Sequence, residues 1–175
     1  MESKNKYTLA TGASSGIGHE SAKLFASKGK NLIIVARTKN NLIQLKNEIL
    51  KKNPSLDIII RDTDLSVIDN VYELYNSLKD YNIETLINNA GFGNYDIVAN
   101  QNLNKIETMI NLNVKAVTIL SSLFVHDYKD VEGTTLINIS SAGGYTLVPN
   151  TVTYCASKFF VIAFTKGLAH ELKLR

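Results

Sequence analysis

The chain has 175 residues, 45% hydrophobic and 20% charged, with a net charge of +3. That length fits one domain of an ordinary soluble globular protein, and basic residues spread along the chain argue against a nucleic-acid partner. A lone cysteine, Cys155, excludes an internal disulfide and suits a reducing cytoplasm. The start carries no apolar run that reads as a signal peptide. The longest mostly apolar segment, Val114 to Val125, is broken by Lys115, Thr118, Ser121 and Ser122 and falls short of the ~20 residues of a membrane span.

Short apolar runs of β type alternate with longer helical runs. "KYTLA" reads as a first strand, followed by a helix from Ile17 to Lys28 with Ala22, Leu24, Phe25 and Ala26 toward the sheet. "NLIIVA" is a second strand. Thr38 is placed to cap the next helix, which carries Leu42, Leu45, Ile49 and Leu50 and stops at Asn53-Pro54. "LDIIIR" is a third strand, and Ser66 is placed to cap a helix bearing Val67, Val71, Leu74 and Leu78. "IETLINNAG" holds a fourth strand, a helical stretch runs from Leu103 to Tyr128, and "TTLINISS" is a fifth strand. A loop then leads to a last helix, from Thr153 to Leu174. Strands apolar throughout and separated by helices predict a doubly wound α/β fold: a parallel sheet, Rossmann-type, in three α/β/α layers. The helical pattern is still running at Arg175, and a fifth strand closing the sheet would leave an apolar edge unpaired. The C-terminal strands are therefore expected to be missing from this sequence.

The loop after the first strand, "TGASSGIG", holds Gly12, Gly16 and Gly18. Glycines let a backbone turn sharply and come close to a ligand, and a following helix N-terminus offers free N–H groups to a phosphate. Ser14 and Ser15 add hydroxyl donors. The same letters, Gly12 to Gly16, also satisfy G-x-S-x-G, the nucleophile elbow of serine hydrolases, with Ser14 as nucleophile. His19 is too close in sequence to complete that site, and His126 and His170 fall in helical patterns. Arg37 ends the second strand, about 20 residues beyond the loop, where an acid would bind an NAD ribose and an arginine a 2′-phosphate. The missing acid and the guanidinium favour NADP over NAD.

"YCASK" places Tyr154 and Lys158 four apart on a helix, ~40° around the axis and ~6 Å along it, so both face one cleft. A general acid/base works best near the operating pH, and a cation beside a phenol favours its ionised form. "DTDLS" lacks the glycine and later glutamate of a calcium loop, and no Cys/His cluster offers zinc ligands, so no metal is expected. Phe159, Phe160, Ile162 and Phe164 read as core or subunit interface.

"TGASSGIG" (Thr11 to Gly18), "DL" (Asp64, Leu65), "NNAG" (Asn88 to Gly91), "NVKA" (Asn113 to Ala116), "SS" (Ser140, Ser141) and "YCASK" stand in order along nearly the whole chain. Together they resemble the short-chain dehydrogenase/reductase family, classical type. The resemblance implies a nicotinamide-dependent oxidoreductase acting on a small carbonyl or alcohol. It implies that the loop Gly12, Ser14, Ser15, Gly16, Ile17 and Gly18 holds the pyrophosphate, that Asp64 and Leu65 lie against the adenine, and that Asn89, Ala90 and Gly91 lie along the cofactor. Asn113, Ser141, Tyr154 and Lys158 look like the catalytic tetrad, with Lys158 also binding the nicotinamide ribose and Asn113 holding a water that relays protons to it. Ser141 is preferred to Ser140 because the family's serine usually stands thirteen residues before the tyrosine. Relatives commonly pair through the fourth and fifth helices, which implies a homodimer or homotetramer. The sequence departs from the pattern at Ser15, where many NADP-preferring relatives carry a basic residue, and at Ala116, where glycine is common. Relatives also continue past Arg175 with two strands and a substrate loop, which keeps a non-catalytic NADP-binding module as an alternative. An epimerase of the related extended group also uses Y-x-x-x-K, but with a different glycine spacing.

Overall fold

A computed structural model describes residues 5–173. Five parallel strands form one sheet: β1 (Lys6–Thr11), β2 (Asn31–Ala36), β3 (Ile58–Asp62), β4 (Asn82–Asn88) and β5 (Thr135–Asn138). Their order is β3-β2-β1-β4-β5. The chain winds outward from β1 through β2 to β3, then crosses back to β4 and β5. Loops leaving β1 and β4 therefore diverge at the carboxyl edge and open a crevice, the usual ligand site of such sheets.

Strand periodicity sorts the apolar residues between two layers. Ile33 and Val35 of β2 join Leu9, Leu86, Val71, Leu74, Leu120 and Phe124 in one buried cluster, roofed by α3 (Ile68–Asn76) and α5 (Val117–Tyr128). Leu32 and Ile34 point the other way, into a cluster with Ala22, Ala26, Leu42, Leu45 and Ile49 under α1 (Gly16–Ser27) and α2 (Lys39–Lys52). The fold is the parallel α/β/α sandwich that the apolar strands predict.

Local details differ from the sequence reading. On α1 the buried positions are Gly18, Ala22 and Ala26, spaced by four, and Leu24 is 53% exposed. Small residues let this helix lie close to the sheet, and Leu24 falls off that stripe. Thr38 occupies the N-cap of α2 but makes no side-chain cap bond. Ser66 does not cap α3: its N–H and Oγ both donate to Asp64 Oδ1, at 2.9 and 2.7 Å, so the helix starts two residues later with Val67 half-exposed at the cap. A short polar side chain that closes its own turn competes with capping. β5 is shorter than the run "TTLINISS", ending at Asn138. Leu174, expected to end the last helix, lies outside the described residues.

The predicted helix from Leu103 to Tyr128 is continuous but not uniform. It comprises α4 (Leu103–Ile110), a π-helical segment at Asn111–Ala116, and α5. At 26 residues it reaches the length and apolarity of a membrane span, contrary to the expectation from its broken apolar run. Its inner face, from Met109 through Leu112, Ala116 and Leu120 to Phe124, is core. The π segment turns Asn113 fully inward, at 0% exposure. The last helix, α6 (Val152–Lys173), packs against the short 3₁₀ turn at Ala142–Gly144 and against the π segment.

Candidate active site

The crevice is built first by Thr11, the last residue of β1, which is buried. Its Oγ1 donates to Ile87 O at 3.2 Å and accepts from Asn89 N and Ala90 N at 3.0 and 3.1 Å. Asn89 Nδ2 in turn donates to the carbonyls of Thr11 and Gly12, both at 3.2 Å. One hydroxyl and one amide thus lock the turn after β4 against the glycine loop after β1.

In that loop Gly16 has φ +57° and nothing within 4 Å of where a Cβ would stand, so its bare Cα faces open space at the mouth of α1. Gly18 is the opposite case: a Cβ there would collide with the Gly12 carbonyl and Asn89 Nδ2. The close approach that brings α1 onto the β4 turn requires glycine. A cleft of about 320 Å³ lies in front of these backbones. Of the residues expected to hold a dinucleotide, Gly12, Ser14, Ser15, Ile17, Arg37, Asp64, Leu65, Asn89, Ala90 and Gly91 line it. Gly16, Gly18, Tyr154 and Lys158 are not among its lining residues. Val35, Ala36, Thr63, Phe92 and Leu112 also line it and were not foreseen. Free helix N–H groups, two serine hydroxyls and an exposed guanidinium at the end of β2 form a donor set that fits a phosphorylated dinucleotide.

Around the start of α6 the remaining residues converge. Tyr154 is half-buried and Lys158 buried. Lys158 Nζ donates to Ile139 O at 3.1 Å and stands 5.9 Å from the centre of the Tyr154 ring. Burial pushes its pKa below the ordinary lysine value. The space a Cβ on Gly91 would fill is 3.0 Å from Asn113 Oδ1 and 3.4 Å from Lys158 Nζ, so the β4 turn, the π segment and α6 meet at one point. A Cβ on Gly143 would stand 3.5 Å from the Tyr154 ring and 3.7 Å from Ser141 Oγ, so this glycine lies between the Ser141 turn and the start of α6.

The paired serines are engaged differently. Ser140 Oγ donates to Lys158 O at 2.9 Å and ties β5 to α6. Ser141 Oγ accepts from Gly143 N at 3.2 Å, and among the described residues its own O–H has no recorded acceptor. Asn113 Oδ1 accepts from Phe92 N, while Nδ2 donates to Phe92 O and Ser157 Oγ. This side chain is thus occupied in clamping loops together.

The hydrolase alternative finds no support. His19 pairs with Glu20 at 2.9 Å, His126 pairs with Asp127 at the exposed end of α5, and His170 is exposed on α6. Among the described residues no hydrogen bond joins Ser14 to a histidine.

Sequence reasoning missed Thr11 as a hub, the carbonyls of Phe92 and Ile139, and a buried polar group made by Asn94, Gln101 and Thr153. Main-chain acceptors leave no mark on a sequence, and scattered Asn, Gln and Thr read as loop.

The sequence profile of the family described as short chain dehydrogenase matches residues 6–175. An uncharacterized oxidoreductase of Staphylococcus saprophyticus is 31% identical over 173 residues, covering 96% of this chain and 68% of its own length. Human dehydrogenase/reductase SDR family member 11 is 30% identical, covering 97% and 68%. Among solved structures, the bulky-bulky ketone specific alcohol dehydrogenase from Comamonas testosteroni superposes with a TM-score of 0.91 at 32% identity, over 98% of this chain and 69% of that one. A short-chain dehydrogenase from Sphingobium yanoikuyae in complex with NADPH gives 0.90 at 31%, over 96% and 66%. The chain therefore spans about two thirds of the length of these relatives.

Proposed function

The chain belongs to the short-chain dehydrogenase/reductase family, and from that premise we propose that it transfers a hydride between NADP(H) and a carbonyl or secondary-alcohol substrate, with Tyr154 as general acid/base. The loop from Gly12 to Gly18 and the N-terminus of α1 would hold the pyrophosphate, Arg37 the 2′-phosphate, Asp64 and Leu65 the adenine side, and Lys158 the nicotinamide ribose. Support for NADP comes from the guanidinium where an NAD site places an acid, and from the NADPH in the Sphingobium relative. Bound there, the nicotinamide supplies or accepts the hydride, and the protein contributes position and electrostatics.

In the reductive direction Tyr154 donates its phenolic proton to the substrate oxygen. Ser141, with its O–H available, hydrogen-bonds the same oxygen and orients it. The Lys158 ammonium favours negative charge on the phenol oxygen as the proton leaves, and burial strengthens that effect by excluding water. Asn113 keeps the Phe92 turn and Ser157 in register, and a water held at this residue would return protons toward Lys158. The single observation that carries this reading is the buried Lys158 Nζ standing 5.9 Å from the centre of the Tyr154 ring and packed beside Gly91, a residue that lines the dinucleotide cleft.

The Comamonas relative's ketone specificity favours ketones among carbonyl substrates. We read residues 1–175 as one cytoplasmic domain that pairs with copies of itself, with Leu103 and Ile110 giving α4 an apolar outer surface. The proposal is tested by mixing the protein with NADPH and a panel of ketones and aldehydes and following absorbance at the reduced-nicotinamide band. Consumption of NADPH that depends on the carbonyl is expected. Tight NADPH binding without consumption across the panel would replace the enzyme with a binding module.

A further inference from the structure

Beside Tyr154 lies a buried polar group that the proposed chemistry does not use. Gln101, 7% exposed, follows a 3₁₀ turn at Val98–Asn100 in the connection from β4 to α4. Its Oε1 accepts from Asn94 Nδ2 at 2.9 Å and from Thr153 Oγ1 at 2.8 Å, and its Nε2 donates to Asp96 O at 2.7 Å. Asn94 is itself buried, and Asp96 N donates to Asn150 O at 2.8 Å. Every contact lands either on the residues flanking Tyr95 or on the approach to Tyr154. Thr153 is the immediate neighbour of Tyr154 in α6. Tyr95, held between Asn94 and Asp96, is 69% exposed, with its ring centre 6.2 Å from that of Tyr154.

Buried polar side chains are retained at a cost unless each bond is made, and here both acceptor sites of one amide oxygen are filled by donors from two different elements. The group fastens the Tyr95 loop to the start of α6 beside Tyr154. We propose that Gln101 is a positioning residue that sets the spacing between Tyr95 and Tyr154, and through it the preference for a carbonyl bearing a large apolar substituent. Tyr95 offers an exposed aromatic face beside the Tyr154 ring for such a group, and Leu147 and Val148 are apolar residues exposed on the loop before α6. The proposal rests on Tyr154 being the proton donor. With the clamp intact the Tyr95 ring is already in place and an aryl group meets a formed wall. Without it, binding must first order the loop, which weakens KM for the aryl ketone more than for a small one.

The test uses Gln101→Leu and Thr153→Val, each removing the bond between loop and helix, together with Tyr95→Ala and the parent protein. Acetophenone and acetone serve as probes with NADPH. In both clamp variants the KM for acetophenone is expected to rise about tenfold relative to that for acetone, with NADPH affinity unchanged. Gln101→Leu is expected to add little once Tyr95 is alanine, since both act through one ring. A fall in melting temperature with the KM ratio held within twofold overturns the proposal, because a merely structural residue would behave so. Tyr154→Phe run alongside separates the two readings: retained turnover there refutes the proton donor, not the clamp. Hydrogen exchange needs no turnover. Amides of residues 94–97 and 151–154 are expected to lose protection together in each clamp variant, and loss in one segment alone contradicts the clamp.

Discussion

Asn113 and Phe92 hold each other at both ends. Phe92 N donates to Asn113 Oδ1 at 3.1 Å, and Asn113 Nδ2 donates back to Phe92 O at 2.9 Å, as in a strand pair made by a side chain. The π segment is what allows this, since it turns the residue out of helical register and into the core. Asn113→Ala would remove the partner of the half-buried Phe92 N–H and C=O and one of the two bonds of Ser157 Oγ, which would keep its bond to Tyr154 O. The expected loss is about 2–3 kcal/mol, a fall in Tm of roughly 4–10 °C by thermal unfolding, with turnover reduced as well. Unchanged stability would show that the turn after β4 is held by other contacts.

Lys158 makes stability depend on pH in a defined direction. Burial holds its folded pKa below the ordinary lysine value, so between that lowered pKa and ~10.4 the unfolded chain binds more protons than the fold. Stability from this group therefore rises as pH rises through that window. Lys158→Met lacks the effect, so the Tm of the variant minus that of the parent should shrink from neutral pH toward pH ~10. Higher pH is avoided, since Tyr7, pushed up to about 12 chiefly by its hydrogen bond to Asp57, contributes the opposite slope there. A difference in Tm that stays constant would mean the ammonium is solvated in the fold.

Arg37 is exposed at the cofactor cleft and marks the end of β2. Under the proposed function, Arg37→Asp replaces a cation that would bind a 2′-phosphate with an anion that would repel it and accept from a ribose hydroxyl. The ratio of kcat/KM for NADPH over NADH is expected to fall by about a hundredfold, or ~2.7 kcal/mol. An unchanged ratio would move the phosphate site elsewhere, with Ser14 and Ser15 the next candidates to substitute.

Much of the fold is legible in the sequence because the sheet is buried on both faces. A run such as Leu32 to Val35 has no polar alternative, and in the structure it feeds both apolar clusters in turn. The glycine loop is legible for a related reason, since close approach at Gly12 and Gly18 and a positive φ at Gly12 and Gly16 are requirements that glycine meets between a strand and a helix. What escapes is decided by tertiary context. Ser66 looks like a cap, yet Asp64 two residues earlier takes both of its donors. Leu24 looks like core, yet the stripe that meets the sheet is made of smaller neighbours. Only family spacing separates Ser141 from Ser140 in the sequence, whereas in space Ser140 is bonded to the backbone of Lys158. Gln101 and Thr153 stand 52 positions apart and carry no periodic signal, so only folding brings them together.

The central claim is that the phenol of Tyr154 carries the proton while the neighbouring ammonium and serine stay in supporting roles. Tyr154→Phe removes one oxygen and leaves the ring, which is half-buried beside Gly143, free to keep its packing. The most direct measurement is NADPH-dependent ketone reduction by this variant, with NADPH affinity read by fluorescence in the same samples. The account predicts kcat lower by about 10²–10⁴ with cofactor affinity within a few-fold of the parent. Turnover at the parental rate, with NADPH still bound, would contradict it.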